Sequence, residues 1–225
     1  MKRAPKQLQL VQLLAEDPEG LQAEQLSGLT ENWRPAMRSL EQKQLASHFR
    51  LPAVLSSTHD KKHDASFHIA LNDAQQAIVD TIREDEPDRV HLIDGITGSG
   101  KTEVYLELIA DTLEEGRQVL VMVPEIGLTP QLTRRFLDRL DTTITVLHSG
   151  MNDTQRYAAW HAAVNGQAQV VIGTRSSVFT PMPNLGMIII DEEHDASFKQ
   201  QDGFRYNARD LAIVRARKLG IPLIM

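Results

Sequence analysis

Residues Arg89–Gly116, RVHLIDGITGSGKTEVYLELIADTLEEG, decide the fold. An apolar run ends in Asp94, a glycine-rich turn follows, and an amphipathic stretch of helical period begins at Lys101. Gly95, Gly100, Lys101 and Thr102 satisfy G-x-x-x-x-G-K-[ST] between a strand and a helix, the context in which this pattern grips phosphate. Phosphate oxygens must be wrapped by backbone N–H groups, and glycines let the backbone turn tightly enough to do so. The helix that starts at Gly100–Lys101 turns its partially positive end toward them. This assigns Gly95, Ile96, Thr97, Gly98, Ser99, Gly100, Lys101 and Thr102 to ATP binding, with Lys101 as a point charge on the β/γ-phosphates and Thr102 as a Mg²⁺ ligand.

Working outward, the same grammar repeats. QVLVMVP, TITVLHS, AQVVIGT, LGMIIIDEEH and IPLIM read as strands. Between them, LTPQLTRRFLDRL, DTQRYAAWHAAVNG and NARDLAIVRARKLG read as helices, and RVHLIDG itself reads as a buried strand. Apolar strands alternating with amphipathic helices predict an α/β fold, a parallel sheet covered on both faces. Ligands of such sheets bind beyond the carboxyl ends of the strands, where both polar motifs fall. The second of these, MIIIDEEH, places Asp191 at a strand end as the Mg²⁺-holding carboxylate. Glu192 follows it, placed to orient or deprotonate a water. Lys101, Asp191 and Glu192 are the expected catalytic set.

Residues 1–68 differ in kind. QLQLVQLLAED sets Leu10, Leu13 and Leu14 at helical spacing, LQAEQLSGL is a second amphipathic piece, and NWRPAMRSLEQKQLASHFR is a third, opening near Asn32 with Pro35 in its first turn. Three short helices, the third bearing Trp33, Arg34 and Arg38, followed by an extended tail, suggest a small helical winged-helix domain; a generic three-helix bundle fits the pattern equally. His59, His63 and His68 lie in the polar stretch that follows, which reads as a solvated linker rather than a metal site. The expected division is 1–68 for the winged-helix-like domain with its linker and 69–225 for the nucleotide-binding lobe.

The 225 residues are 41% apolar, contain no cysteine and carry a formal charge of −6. That length suffices for a real core. The missing cysteines exclude disulfides and cysteine-held zinc and agree with a cytoplasmic setting. No apolar run approaches the ~18 residues of a membrane span, and MKRAPKQLQL lacks the apolar centre of a secretory signal. The acidic total opposes general coating of nucleic acid but leaves room for a local patch. In DASFKQQDGFRYNARD, Phe198, Phe204 and Tyr206 alternate with Lys199, Arg205 and Arg209 in a chain only 5% aromatic. Aromatic faces stack bases and cations hold phosphates; the competing reading is a loop folded into the core.

Asp-Glu-Glu-His after an apolar strand resembles the second signature motif of superfamily 2 helicases. LNDAQQAI resembles the segment whose glutamine reads adenine, with Gln75 first and Gln76 second; an amide offers the donor and acceptor that adenine needs. VPEIGLTPQ and GTRSSVF resemble motifs that grip the DNA backbone, which assigns Thr129, Gln131, Gly173, Thr174 and Arg175, together with Phe198, Lys199, Phe204 and Arg205, to DNA. With HSG and RYNARDLA, the set from Leu71 to Met225 resembles the PriA family of primosomal replication-restart helicases. The resemblance implies a RecA-like P-loop NTPase lobe and an ATP-driven, Mg²⁺-dependent 3′→5′ DNA helicase acting on forked and single-stranded DNA. It also implies dealings with single-strand binding protein and primosome proteins, and a family zinc site for which this chain has no cysteines. The motif expected after IPLIM, and the second lobe with its arginine, are not found before Met225, so the expectation is a fragment: winged helix plus first lobe. Two other classes stay open: a small P-loop NTPase of another family, and a DNA-binding module with a vestigial P-loop.

Overall fold

A computed structural model describes residues 5–16, 26, 33–43, 45–46, 54–56, 70–86, 88–96, 98–125, 128 and 130–225. The chain divides into two compact units, Met1–Leu51 with Thr129–Gln131, and Pro52–Leu128 with Leu132–Met225. In the first, α1 (Pro5–Glu16) packs on α2 (Trp33–Gln42). Leu10, Leu26 and Leu40 form its buried centre, with Val11, Trp33, Ala36 and Ala46 around them. Pro35 occupies the third position of α2, where the missing N–H costs no helical bond. Gln7 donates to Ser39 Oγ at 2.9 Å and accepts from Lys43 Nζ at 2.7 Å, tying the two helices at their polar margin. The histidine-bearing stretch 57–69 and most of the second N-terminal helix lie outside the described residues.

The second unit holds the sheet. Its strands are β1 (Val54–Ser56), β2 (Val90–His91), β3 (Gln118–Met122), β4 (Thr143–Leu147), β5 (Val170–Gly173), β6 (Leu185–Ile190) and β9 (Leu223–Ile224), in the order β1-β4-β5-β3-β6-β9-β2. Six of them run parallel; β1 joins β4 antiparallel. Val54–Ser56 falls ahead of the expected boundary at residue 69, because its backbone extends the sheet along β4. Strands buried on both faces read as continuous apolar runs, and their residues divide alternately between two cores. Val119, Val121, Met187 and Ile189 face one side with Val79 of α3 (Asp73–Glu84), Ile109 of α4 (Lys101–Glu114) and Phe136 of α5 (Pro130–Arg139). Leu120, Met122, Ile188 and Ile190 face the other, against Ala159 and Ala163 of α6 (Asp153–Val164) and Ala208, Ala212 and Ala216 of α7 (Ala208–Leu219). Small residues on those two helices let them approach the sheet closely. A two-stranded ribbon, β7 (Lys199–Gln200) with β8 (Tyr206–Asn207), projects beyond the end of β6.

One strand departs from expectation. RVHLIDG is not a buried strand: only Val90 and His91 pair, with β9 alone, and Val90 is 44% and Leu92 66% exposed. β2 is the outermost strand of the sheet as described, so its apolar residues have a neighbour on one side only.

Candidate functional site

The carboxyl ends of β2, β3, β5 and β6 carry the polar motifs. After β2 the chain passes Gly95 and Ile96 and reaches Gly98 and Gly100, whose φ values of 82° and 84° lie in the left-handed region. Thr97 lies outside the described residues. The Ser99 N–H donates to the Ile96 carbonyl at 3.0 Å and closes the turn. A Cβ on Gly95 would stand 2.7 Å from Ser99 Oγ, and one on Gly100 would stand 2.3 Å from Gln75 Nε2. The glycines therefore leave a cradle that side chains would fill. In the first turn of α4 the Glu103 N–H donates to the Gly100 carbonyl at 3.0 Å, and the helix turns its partially positive end toward the cradle. Lys101 Nζ donates to the Gly95 carbonyl at 2.6 Å, a bond that a phosphate oxygen could replace.

Asp191 follows β6 directly, its N–H donating to the Met122 carbonyl. Its carboxylate accepts from Tyr105 Oη at 3.3 Å. Burial, and next the negative charge of Glu192, hold the Asp191 carboxyl above its usual range; Lys101 and the Tyr105 bond act in the opposite direction. Burial, and then Asp191, push the Tyr105 phenol above its own usual range. Glu192 has φ 49°, the single non-glycine with positive φ among the described residues. Such a backbone is strained, and such strain collects at functional sites. Glu192 Oε1 lies 3.9 Å from Lys101 Nζ, and Oε2 lies 3.5 Å from Nε2 of the exposed His194. The three expected catalytic residues thus converge. Such a cluster, a cation against two carboxylates at a helix N-terminus, fits a nucleoside triphosphate with a divalent cation.

Gln75 is placed differently from an open base reader. Its Oε1 accepts from the Asn72 N–H at 3.0 Å while Asn72 Oδ1 caps α3 in return. Its Nε2 donates to the carbonyls of Ser99 and Gly100 at 3.2 and 3.4 Å. Both ends of the amide are committed, the oxygen to the cap of α3 and the nitrogen to the phosphate turn. Gln76 donates to Asp80 on its own helix.

Of the residues assigned to DNA, Gln131, Lys199, Phe204 and Arg205 are exposed, and Thr129 lies outside the described residues. Four others correct the expectation, among them Gly173, which is buried as the last residue of β5 with its carbonyl accepting from the Val123 N–H. Phe198 is 2% exposed and belongs to the second core, because the short 3₁₀ turn Ala196–Phe198, capped by Asp195, folds it inward. Thr174 is buried as well: its N–H donates to the Leu147 carbonyl and its own carbonyl accepts from Ser177 Oγ at 2.7 Å. Arg175, half-buried, donates from Nη1 to the carbonyls of Ser197 and Lys199 at 3.1 and 3.4 Å. It braces the loop after Asp191 instead of standing open to phosphate. Arg209, interleaved with the aromatics, pairs with Glu193 at 2.7 Å.

Sequence reading missed Tyr105. Its signal was available: four residues after Lys101 on one helix face, it must lie beside whatever Lys101 faces. It also missed the pair of Arg139 on α5 with Glu103 in the first turn of α4, both largely shielded, which anchors the start of the phosphate-binding helix. That pair joins residues 36 apart in sequence and has no local signature.

The DEAD/DEAH box helicase family model matches residues 72–221. The chain is 60% identical over 136 residues to the replication restart protein PriA of Haemophilus influenzae, covering 60% of this chain and 19% of that protein. Against PriA of Bacillus subtilis it is 37% identical over 229 residues, covering 100% of this chain and 28% of the relative. The chain therefore spans between a fifth and about three tenths of the length of these relatives. A solved structure of RecG bound to a three-way DNA junction matches with a TM-score of 0.50 at 28% identity, over 70% of this chain and 21% of that one. The UvsW helicase of bacteriophage T4 matches with a TM-score of 0.50 at 20% identity over 69% of this chain and 52% of its own, which bears on the fold alone. With its α/β lobe and phosphate turn inside the matched span, the chain belongs to the DEAD/DEAH box helicase family.

Proposed function

We propose that residues 69–225 form the ATP- and DNA-binding first lobe of a 3′→5′ DNA helicase of replication restart, and that residues 1–68 form a winged-helix-like module attached to it. The convergence of Lys101, Asp191 and Glu192 carries the reading. ATP with Mg²⁺ supplies a phosphoryl group for transfer to water. Lys101 would exchange the Gly95 carbonyl for a phosphate oxygen. Thr102 and Asp191 would hold the cation, whose charge offsets the crowding of Asp191 against Glu192. Glu192 would orient a water and take its proton. Tyr105 keeps Asp191 aimed by donating to it.

DNA would cross the exposed side chains of Lys199, Phe204 and Arg205; Gln131, exposed as well, would contact it by itself. Arg175 links that loop to the turn after β5, and the loop leaves the sheet directly behind Asp191 and Glu192, so strand binding and the carboxylates would be joined through one loop. The likeness to PriA supports forked and single-stranded DNA as substrate, with single-strand binding protein and primosome proteins as partners, in the cytoplasm.

Calorimetry with ATP and Mg²⁺ tests the site. Lys101→Ala removes a charge-assisted contact and should weaken binding by roughly 1.5–3 kcal/mol. Equal affinities for wild type and variant would refute the assignment.

A further inference from the structure

A cavity of about 400 Å³ opens beyond the end of β4, between the amino-terminal half of α6 and the 3₁₀ turn Arg175–Phe179. It is separate from the phosphate turn. Tyr157, Trp160 and Phe179 line it and are 64%, 42% and 52% exposed. Large aromatic side chains are costly to leave in water, and a chain with two tryptophans and three tyrosines places one of each here. Tyr157 and Trp160 lie three residues apart on α6 and so share a face. Asp153, Arg156 and Ser176 add an acceptor, a cation and a hydroxyl to the same wall. Arg156 uses one donor on the Ser149 carbonyl at 3.4 Å and has others to offer.

We infer that this cavity takes an unpaired nucleobase of the DNA strand, stacked on the aromatic wall with its polar edge toward Asp153, Arg156 and Ser176. The inference rests on the DNA-binding reading above and extends it to a site of different chemistry. Three observations favour a base over an apolar peptide side chain. The wall mixes donor and acceptor as a base edge does, whereas an apolar occupant would leave Asp153 and Arg156 facing hydrocarbon. The volume sits at the lower end of small-ligand sites, too small for a duplex. The aromatic wall is also continuous with the proposed strand path: the Phe179 ring meets Tyr206 edge-on with centroids 4.9 Å apart, and Tyr206 lies 6.0 Å from Phe204. From the cavity, the aromatic series thus runs to the loop that carries Lys199 and Arg205. Aromatic platforms of this kind hold single strands with little regard to sequence.

Fluorescence anisotropy with the 225-residue chain tests this, using a thymidine oligonucleotide of about 12 nucleotides and an abasic strand of equal length. Trp160→Ala, Tyr157→Ala and Phe179→Ala should each weaken binding of the thymidine strand by about fivefold or more. Each should leave the abasic strand, and ATP, bound as in wild type. Tyr157 is largely solvent-exposed, so its variant keeps the test open if Trp160→Ala does not fold. In Trp33→Phe, the emission left belongs to Trp160 and should be quenched by the thymidine strand and not by the abasic one. Variants that bind both strands as wild type does, or Trp160 emission indifferent to DNA, would overturn the base site and leave the helicase reading standing. A wild type that binds neither strand would remove the DNA reading and this inference with it.

Discussion

The charge of Asp191 is poorly placed for stability at the position where the proposed site would use it. It is partly desolvated, crowded by Glu192, and offset only in part by Lys101 and Tyr105. Removing its charge should therefore stabilise the nucleotide-free protein. Asp191→Asn should melt higher than wild type at neutral pH by differential scanning fluorimetry, and should lose the further rise that Mg²⁺-ATP gives wild type. A variant that melts lower would show that the carboxylate is better satisfied than its neighbours imply. Gln75 carries a second residue-scale prediction. Its Oε1 closes the cap of α3 and its Nε2 holds the phosphate turn, so Gln75→Ala should cost about 1 kcal/mol of stability and weaken ATP binding. Gln75→Glu keeps the capping oxygen but turns a negative atom toward the Ser99 and Gly100 carbonyls, and should bind ATP less well than Gln75→Ala. If Gln75→Ala instead changes only the preference for ATP over GTP, the amide leaves the turn to read the base.

At the scale of elements, the loop that follows Asp191 is built as a brace with an exposed tip. The turn Ala196–Phe198 is capped by Asp195, whose carboxylate accepts from the Ser197 N–H at 2.7 Å. That bond, to the Ser197 side and main chain, lowers the Asp195 carboxyl below its ordinary value of 3.8. A depressed folded value means stabilisation that is present above 3.8 and lost as pH falls through the lowered value. Protection of the Ser197 amide, its exchange rate by NMR relative to that of an unstructured peptide at the same pH, should fall only on that acid side, and Asp195→Ala should show the reduced protection at every pH above it. Phe198 fixes the same turn from beneath, and Phe198→Ala should cost about 3–5 kcal/mol as a core truncation. The strands and helices of the lobe were legible because period and punctuation are local: β3 and β6 are continuous apolar runs and α4 follows a glycine turn. The phosphate turn and Asp191 were legible because motif and strand end coincide. Phe198 and Arg175 were not, because an aromatic beside lysines reads alike whether its ring points in or out, and Arg175 is satisfied by carbonyls 22 and 24 residues away. Val90 misled for a further reason: an outermost strand has the composition of a central one but half its neighbours.

The charge of the whole molecule bounds how it would meet DNA. With a net −6, the chain as a whole repels a polyanion, and binding must come from the few cations beside the aromatic track. Affinity for single strands should fall with rising salt by a shallow slope corresponding to a few phosphates, and the stacking part should survive. The same distribution of cations bears on turnover. Arginines that stabilise charge at a transferring phosphoryl group must be free to reach it; Arg205 is exposed on the loop proposed to meet DNA, and three others near the motifs are engaged elsewhere. Arg139 is held by Glu103, Arg209 by Glu193, and Arg175 by the Ser197 and Lys199 carbonyls. Lys101 alone faces the carboxylates from the phosphate turn, and Ile96 at the rim of that turn is 82% exposed, so water reaches the site and weakens each charge contact. The 225-residue chain should therefore bind ATP but hydrolyse it slowly, since a missing catalytic arginine costs roughly 10³–10⁵ in rate. A steady-state ATPase assay with single-stranded DNA measures this, with Glu192→Gln as the control for contaminating activity. Vigorous DNA-stimulated turnover that Glu192→Gln abolishes would mean that one of these arginines leaves its partner during the reaction. Arg175 would then be the first to replace, because its release would also free the loop that carries the DNA-facing side chains.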